Sequence, residues 1–350
     1  MATQIFNNDS NSYLSVFRGR KAACRSKPPK GITIKKPNIC CSDSNGKKRK
    51  PELQSAATND AGFKKRRVCY SKDEFPDCVS VDEYRSLGKI SSGSYGVVYK
   101  VEHKKTGEIM AMKEEFNGLS PSTRAEIDIL KSLGGLPCIV QFKEVAVDEC
   151  DGVYVVMEYM ETDLRRYMSF RRDGLATSEV KRLMKQLIEG VKFLHQNKVV
   201  HRDLKPANVL VSRGGQLKIC DFGLSARVEV EEEEECKVGT LWYRAPELLL
   251  GETRGSFSVD MWAVGCIFAE MVLKEVLFKG ESEEDQLHEM YCILGHPSAK
   301  NVESSICSAN LMLSRDGFDL LKGLLCYDPD KRMTAEMALN HAWFEDEITS

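Results

Sequence analysis

Apolar and polar residues alternate in YRSLGKI (84–90) and GVVYKVEHK (96–104), on either side of a glycine-rich stretch. That period of two, broken by small residues, predicts a β-hairpin. EIMAMKEE (108–115) continues as a third strand and DGVYVVMEYM (151–160) as a further one. Between them STRAEIDILKSL (122–133) has helical spacing, with Ile127, Leu130 and Leu133 on one face. Beyond Asp163 helical patterns dominate: SEVKRLMKQLIEGVKFLHQN (178–197), VDMWAVGCIFAEMVL (259–273), DQLHEMYCILG (285–295) and GFDLLKGLLCY (317–327). A β-rich part followed by a larger helical part predicts an α+β protein of two lobes. No internal repeat is evident.

Residues 1–80 lack any sustained apolar period and are rich in Asn, Ser, Lys, Arg and Pro. Such a composition buries too little apolar surface to offset chain entropy, which predicts a disordered extension. Charge separates the same two parts: residues 1–80 hold 17 Lys/Arg against 7 Asp/Glu, and residues 81–350 hold 33 against 45. Two basic clusters, Lys47–Lys50 and Lys64–Arg67, are spaced like a bipartite nuclear import signal. A solvated basic linker is the plainer alternative, and no interleaved aromatics support a nucleic-acid surface.

The 13 cysteines show no C-x-x-C pair and no metal-ligand spacing with histidine, which predicts a reduced intracellular chain. No apolar run approaches the ~20 residues of a membrane span. MATQIFNNDS does not read as a signal peptide, so a nuclear or cytoplasmic location is expected, the basic clusters favouring the nucleus.

Six motifs carry the candidate chemistry. The loop Ser91–Val98 (SSGSYGVV) is glycine-rich, and Gly93 and Gly96 let backbone N–H groups come close to whatever it covers; standing alone it would be a plain hairpin turn. MAMK supplies a lysine, Lys113, and the helix that follows supplies an acid, Glu126. VVHRDLKPANVL (199–210) and KICDFGL (218–224) bring Asp203, Lys205, Asn208 and Asp221, and TLWYRAPE (240–247) closes the series. Hard oxygen donors such as Asn208 and Asp221 suit Mg²⁺.

In this order and spacing the motifs resemble those of protein kinases, over roughly the last three quarters of the chain. The resemblance implies a kinase domain over residues 84–344, with an N-lobe of about 84–157, a hinge at 158–163 and a C-lobe at 164–344. It implies transfer of the ATP γ-phosphate to Ser or Thr hydroxyls, with ATP and Mg²⁺ as cofactors. Asp203 would accept the substrate proton, Lys205 steady the phosphoryl group, and Asn208 and Asp221 hold the metal. Lys113, paired with Glu126, would meet the α- and β-phosphates. Ile90, Gly93, Gly96, Val98, Ala111, the gatekeeper Met157, the hinge residues Glu158 and Met160, Asp163 near the ribose, and Leu210 would line the nucleotide site. Asp260 would anchor the catalytic loop, and Glu247 with Arg332 would brace the large lobe. The first glycine of the family's loop is Ser91 here, and Ser94 and Tyr95 match inhibitory phosphorylation sites.

Within the kinases, LSPSTRAEIDILKSL, GSYGVVYK, TLWYRAPELLLG and SVDMWAVGCIFAEM resemble the cyclin-dependent branch. That implies protein substrates with proline after the phospho-acceptor, and a cyclin as partner. Gly239 would turn left-handed before Thr240 and aim its carbonyl at Arg244, leaving no acceptor for a substrate N–H. The activating phosphothreonine of the family falls at Glu235, within the run Glu231–Glu235. This run is expected to substitute in part for the phosphate, docking on Arg202 with Arg124 or Arg227; a solvated acidic loop is the alternative. Only the 18 residues Ser298–Arg315 follow GHP where relatives carry a longer insert, and Ala125 precedes Glu126. Both departures bear on cyclin binding. They also admit a rival, a kinase-fold scaffold that binds nucleotide and partners while catalysing weakly or not at all.

Overall fold

Strand and helix formation follows the predicted periods closely, as a computed structural model shows. It describes residues 77–93, 96–149, 152–171, 173–228, 239–252, 256–297 and 313–345, so the N-terminal extension with its basic clusters lies outside the described residues. All of them fall in one unit, Tyr70–Ser350. Its first part is a six-stranded sheet: β1 (Val79–Ser80), β2 (Tyr84–Ser92), β3 (Gly96–His103), β4 (Ile109–Glu115), β5 (Phe142–Val147) and β6 (Val153–Glu158). The spatial order is β1-β5-β6-β4-β3-β2, antiparallel except for the short β1–β5 pair. One face of the sheet packs Tyr84, Val101, Met110, Met112, Ala146 and Val156 into a core.

Helix α1 (Pro121–Ser132) crosses between β4 and β5, started by Ser120, whose side chain accepts the N–H of Thr123. Proline at its first position costs the helix no hydrogen bond. Ile127, Leu130 and Leu133 are all buried, as their spacing predicts.

The second part is helical. After β7 (Thr162–Asp163) come α2 (Leu164–Ser169) and the long α3 (Thr177–Gln196). Short strands β8 (Val199–Val200), β9 (Val209–Val211), β10 (Leu217–Ile219) and β11 (Ala226–Arg227) hold the motif loops between them. Helices α4 (Pro246–Leu249), α5 (Phe257–Leu273), α6 (Glu283–Leu294), α7 (Arg315–Leu324) and α8 (Ala335–Leu339) complete the element order. Helix α5 is buried over almost its whole length, with Trp262 and Phe268 fully enclosed, so it forms the centre of the second core. No helix among the described residues is long and apolar enough to cross a membrane.

Two features depart from the pattern. Strand β5 is absent from the sequence prediction because a register shift between Phe142 and Glu144 breaks its alternation. Cys78, Cys138, Cys220, Cys266 and Cys326 are free thiols as expected, whereas Cys292 is disulfide-bonded in this structure.

Candidate active site

Alternation along β4 creates the first half of the site. Lys113 and Glu115 point to one side of the strand, while Glu114 points to the other and accepts a hydrogen bond from the Tyr99 hydroxyl at 3.1 Å. Helix α1 brings Glu126 to meet the lysine. Lys113 Nζ lies 2.7 Å from Glu126 Oε2, 3.0 Å from Glu115 Oε1 and 3.5 Å from Asp221 Oδ1. All but Asp221 are buried. Three carboxylates thus share one ammonium. Burial pushes the Glu126 carboxyl up to about 7, against the pull of Lys113 and with the help of Asp221 and Glu115. Burial also works against the Lys113 charge, but the acids outweigh it and hold its pKa above the ordinary lysine value. Gly223 leaves this point open: a Cβ there would sit 3.5 Å from Glu126 Oε2, 3.6 Å from Asp221 Oδ1 and 3.8 Å from Lys113 Nζ.

The second half is a loop pinned from beneath. Asp260, fully buried in α5, accepts the N–H groups of His201 and Arg202 at 2.9 Å each, and its Oδ2 lies 3.0 Å from His195 Nε2. Burial opposes the Asp260 charge, yet His195, His201 and the backbone donor hold its pKa below the usual carboxylate value. Held this way, Arg202 adopts a positive φ of 67°; Asp221, in the neighbouring loop, has one of 69°, and both are uncommon for non-glycine residues.

Asp203 is the hub of the loop. Its Oδ2 accepts from Lys205 Nζ at 2.6 Å and Asn208 Nδ2 at 3.1 Å, and its Oδ1 accepts from Thr240 N at 2.9 Å and Thr240 Oγ1 at 3.1 Å. Lys205 Nζ also donates to Thr240 Oγ1 at 2.9 Å. The Asn208 nitrogen is committed to Asp203, leaving the amide oxygen as the end that can meet a cation. Together with the half-exposed Asp221 carboxylate this is a two-oxygen donor set, which fits a Mg²⁺ whose remaining ligands are phosphate and water.

Sheet registers gather the expected nucleotide-lining residues. Val98 pairs with Lys113, Ala111 with Met157, and Asp163 with Leu210. Gly93 N donates to Gly96 O at 2.9 Å, closing the loop backbone on itself. Gly96 is required by contact, since a Cβ would meet the Glu114 carbonyl oxygen at 2.1 Å. Ile90 is joined to the other lobe, its carbonyl accepting from Arg166 Nη2 at 3.3 Å. Asp163 caps α2 through the N–H of Arg166 at 2.9 Å. At the hinge, the Glu158 N–H donates to Gln141 O at 2.9 Å and its carboxylate pairs with buried Lys218 at 2.6 Å. That N–H is therefore not open to a ligand, while Met160 lies beyond the end of β6. Ser94 and Tyr95 lie outside the described residues.

Around the activation segment the structure corrects one expectation. The φ of Gly239 is not in the left-handed region. Its carbonyl nevertheless accepts from Arg244 Nη2 at 2.8 Å, as the sequence reading requires. Glycine is needed here for space: a Cβ would lie 2.6 Å from Arg202 O and 2.8 Å from Asp203 Oδ1. Arg227, offered as part of an anion clamp, donates through one guanidinium nitrogen to Ser132 Oγ on α1 at 2.7 Å. The buried Arg202 Nε has no hydrogen-bond partner among the described residues. Glu235 and its neighbouring acids lie outside them.

Two members of the site escaped the sequence reading, Glu115 and its hydrogen-bond donor Thr123 at 3.3 Å. The signal was present, since residues i and i+2 of a strand share a face.

Comparison with known proteins agrees with this geometry. Residues 84–344 match the family model described as protein kinase domain. Cyclin-dependent kinase G-2 of Oryza sativa subsp. indica is 45% identical over 301 residues, which cover 77% of this chain and 42% of the relative. Cyclin-dependent kinase G1 of Arabidopsis thaliana is 43% identical over 304 residues, 76% of this chain and 50% of the relative. Cyclin-dependent kinase 11B of Homo sapiens is 41% identical over 296 residues, 77% of this chain and 37% of the relative. The chain thus spans half or less of the length of these curated relatives. With a family match over most of its length and the motif residues gathered as described, the chain belongs to the protein kinase family, and within it is similar to the cyclin-dependent kinases.

Proposed function

We propose that this chain is a serine/threonine protein kinase that uses Mg²⁺ and ATP and prefers proline after the phospho-acceptor. The observation that carries the reading is the Asp203 hub. A carboxylate with both oxygens hydrogen-bonded to Lys205, Asn208 and Thr240 is held rigidly beside the two-oxygen donor set of Asn208 and Asp221. When bound, the magnesium nucleotide supplies the phosphoryl group and a cation to offset its charge. Lys113, held by Glu126, donates to phosphate oxygens. Asp203 orients the substrate hydroxyl and takes its proton, and Lys205 offsets charge on the transferring group. Asn208 and Asp221 hold the metal.

Proline preference rests on the Arg244–Gly239 hydrogen bond. With that carbonyl engaged, a substrate N–H at the position after the acceptor would be buried without a partner, a cost of about 1–3 kcal/mol that proline does not incur. On a peptide array the purified chain, with Mg²⁺ and ATP, is expected to label Ser-Pro and Thr-Pro peptides about tenfold or more over alanine counterparts. Equal labelling of the two sets would remove the specificity. The relatives are named as cyclin-dependent, and a cyclin is the partner class to add to this assay.

From the two basic clusters we infer a nuclear rather than cytoplasmic location. A fluorescent fusion is expected to lose nuclear accumulation when Lys47–Lys50 and Lys64–Arg67 are replaced by alanine; unchanged accumulation would discard the assignment.

A further inference from the structure

The lysine of the candidate site has more counter-charge than one helix glutamate requires. Glu115 is nearly as buried as Glu126, with side-chain exposures of 6% and 2%. An unpaired carboxylate at that depth would be costly, so Glu115 must be held there by its surroundings. Lys113 is its cationic neighbour at 3.0 Å, and Thr123 Oγ1 donates to its second oxygen at 3.3 Å. Geometry separates the two acids. Glu126 takes an aligned hydrogen bond from the ammonium at 2.7 Å, whereas Glu115 Oε1 lies at ion-pair distance but outside hydrogen-bond geometry. The elements separate them too. Glu126 rides on α1, while Glu115 shares β4 with the lysine, so its backbone is carried by the strand and not by the helix.

We propose that Glu115 is a second, strand-borne anchor for Lys113, which keeps the ammonium positioned for phosphate oxygens when Glu126 lets go. The inference rests on the kinase reading above and makes Glu115 a positioning residue within it. Rotation about the lysine side chain, with no movement of β4, brings an ammonium N–H into line with Glu115. Thr123, in the first turn of α1, reports the helix position to that second anchor through its hydroxyl. Its own orientation is set by Ser120, whose Oγ lies 2.9 Å from Thr123 Oγ1.

The test is a double-substitution cycle on the full chain, read by equilibrium binding of a fluorescent magnesium-ATP analogue and by the KM for ATP and kcat separately. Glu115→Gln alone is expected to weaken binding by less than about threefold and Glu126→Gln alone by less than about tenfold, because each leaves the other acid in place. The double variant is expected to lose at least about tenfold more than the product of the two single effects, chiefly in KM. Effects that simply multiply, or a Glu126→Gln loss as deep as that of the double variant, would overturn the proposal. Should the double variant fail to fold, Thr123→Val combined with Glu126→Gln decides: an excess loss over its singles supports the second anchor, and none overturns it. A wild-type chain that binds no magnesium nucleotide overturns the kinase reading itself, and the anchor with it, so the two failures are distinguishable.

Discussion

Replacing Asp203 with asparagine is expected to lower the rate of γ-phosphate transfer by about 10²–10⁴-fold while nucleotide binding stays near its wild-type level. The argument is one of donors and acceptors. Asp203 receives four hydrogen bonds, two on each oxygen, all from groups that only donate or do so here: Lys205, Asn208, the Thr240 N–H and the Thr240 hydroxyl. An amide keeps one oxygen and turns an NH₂ towards the other pair. Either Lys205 or the Thr240 N–H then faces a donor, and the hub loses its geometry as well as its basicity. Nucleotide binding is spared because Lys113 and Glu126 do not touch Asp203. A single-turnover assay beside a nucleotide-binding titration measures both quantities. Transfer within about threefold of an active wild type would remove Asp203 as the base, and a wild-type chain without measurable transfer would favour the scaffold role.

The largest loss of stability is expected from Glu247→Ala. Arg332 has a fully buried side chain and holds Glu247 with two bonds, Nη1 to Oε1 at 2.6 Å and Nη2 to Oε2 at 2.8 Å. It also donates to Cys326 O at 2.9 Å and Ser258 O at 2.8 Å, and its guanidinium lies over the Trp262 ring at 5.2 Å. One residue thereby ties α4, the start of α5 and the loop before α8. Removing the carboxylate leaves a buried guanidinium without its counter-charge, at a cost of about 3–5 kcal/mol. For a domain of this size that lowers the unfolding midpoint by roughly 10 °C. Joint replacement by Glu247→Leu and Arg332→Met is expected to cost less than the single change, since no stranded charge remains. Thermal and denaturant unfolding of the three proteins check this. A single variant within about 1 kcal/mol of wild type would show that the pair is solvated in practice.

What could be read from the chain in advance was local. HRDLKPAN places its acid and amide within a few residues of one another, and DFG is a short motif of its own, so spacing alone conveyed much of that geometry. The helix face Ile127, Leu130 and Leu133 was legible for the same reason: its period is a property of neighbouring residues. The carbonyl of Gly239 was correctly aimed at Arg244, but the reason for glycine was misread. A left-handed turn is a local property and can be guessed from sequence. A backbone from Arg202 pressed against the same Cα is not, and here it was the contact that demanded glycine. Arg227 stands one residue from the expected clamp position, and its bond across the fold to Ser132 could not be read from the chain.

The sequence by itself determined the fold class, the order of the elements and the identity of the groups that could do chemistry. It did so because periodicity and short motifs are encoded among near neighbours, where backbone geometry leaves little choice. Only the tertiary structure decided that Lys113 meets three acids rather than one, that the Glu158 N–H is already used, and that Asp260 in a central helix grips the backbone beneath Asp203. Apart from the Lys113–Glu115 pair on one strand, those contacts join separate parts of the chain. Their distances depend on how the sheet and helices pack, and no local pattern records them.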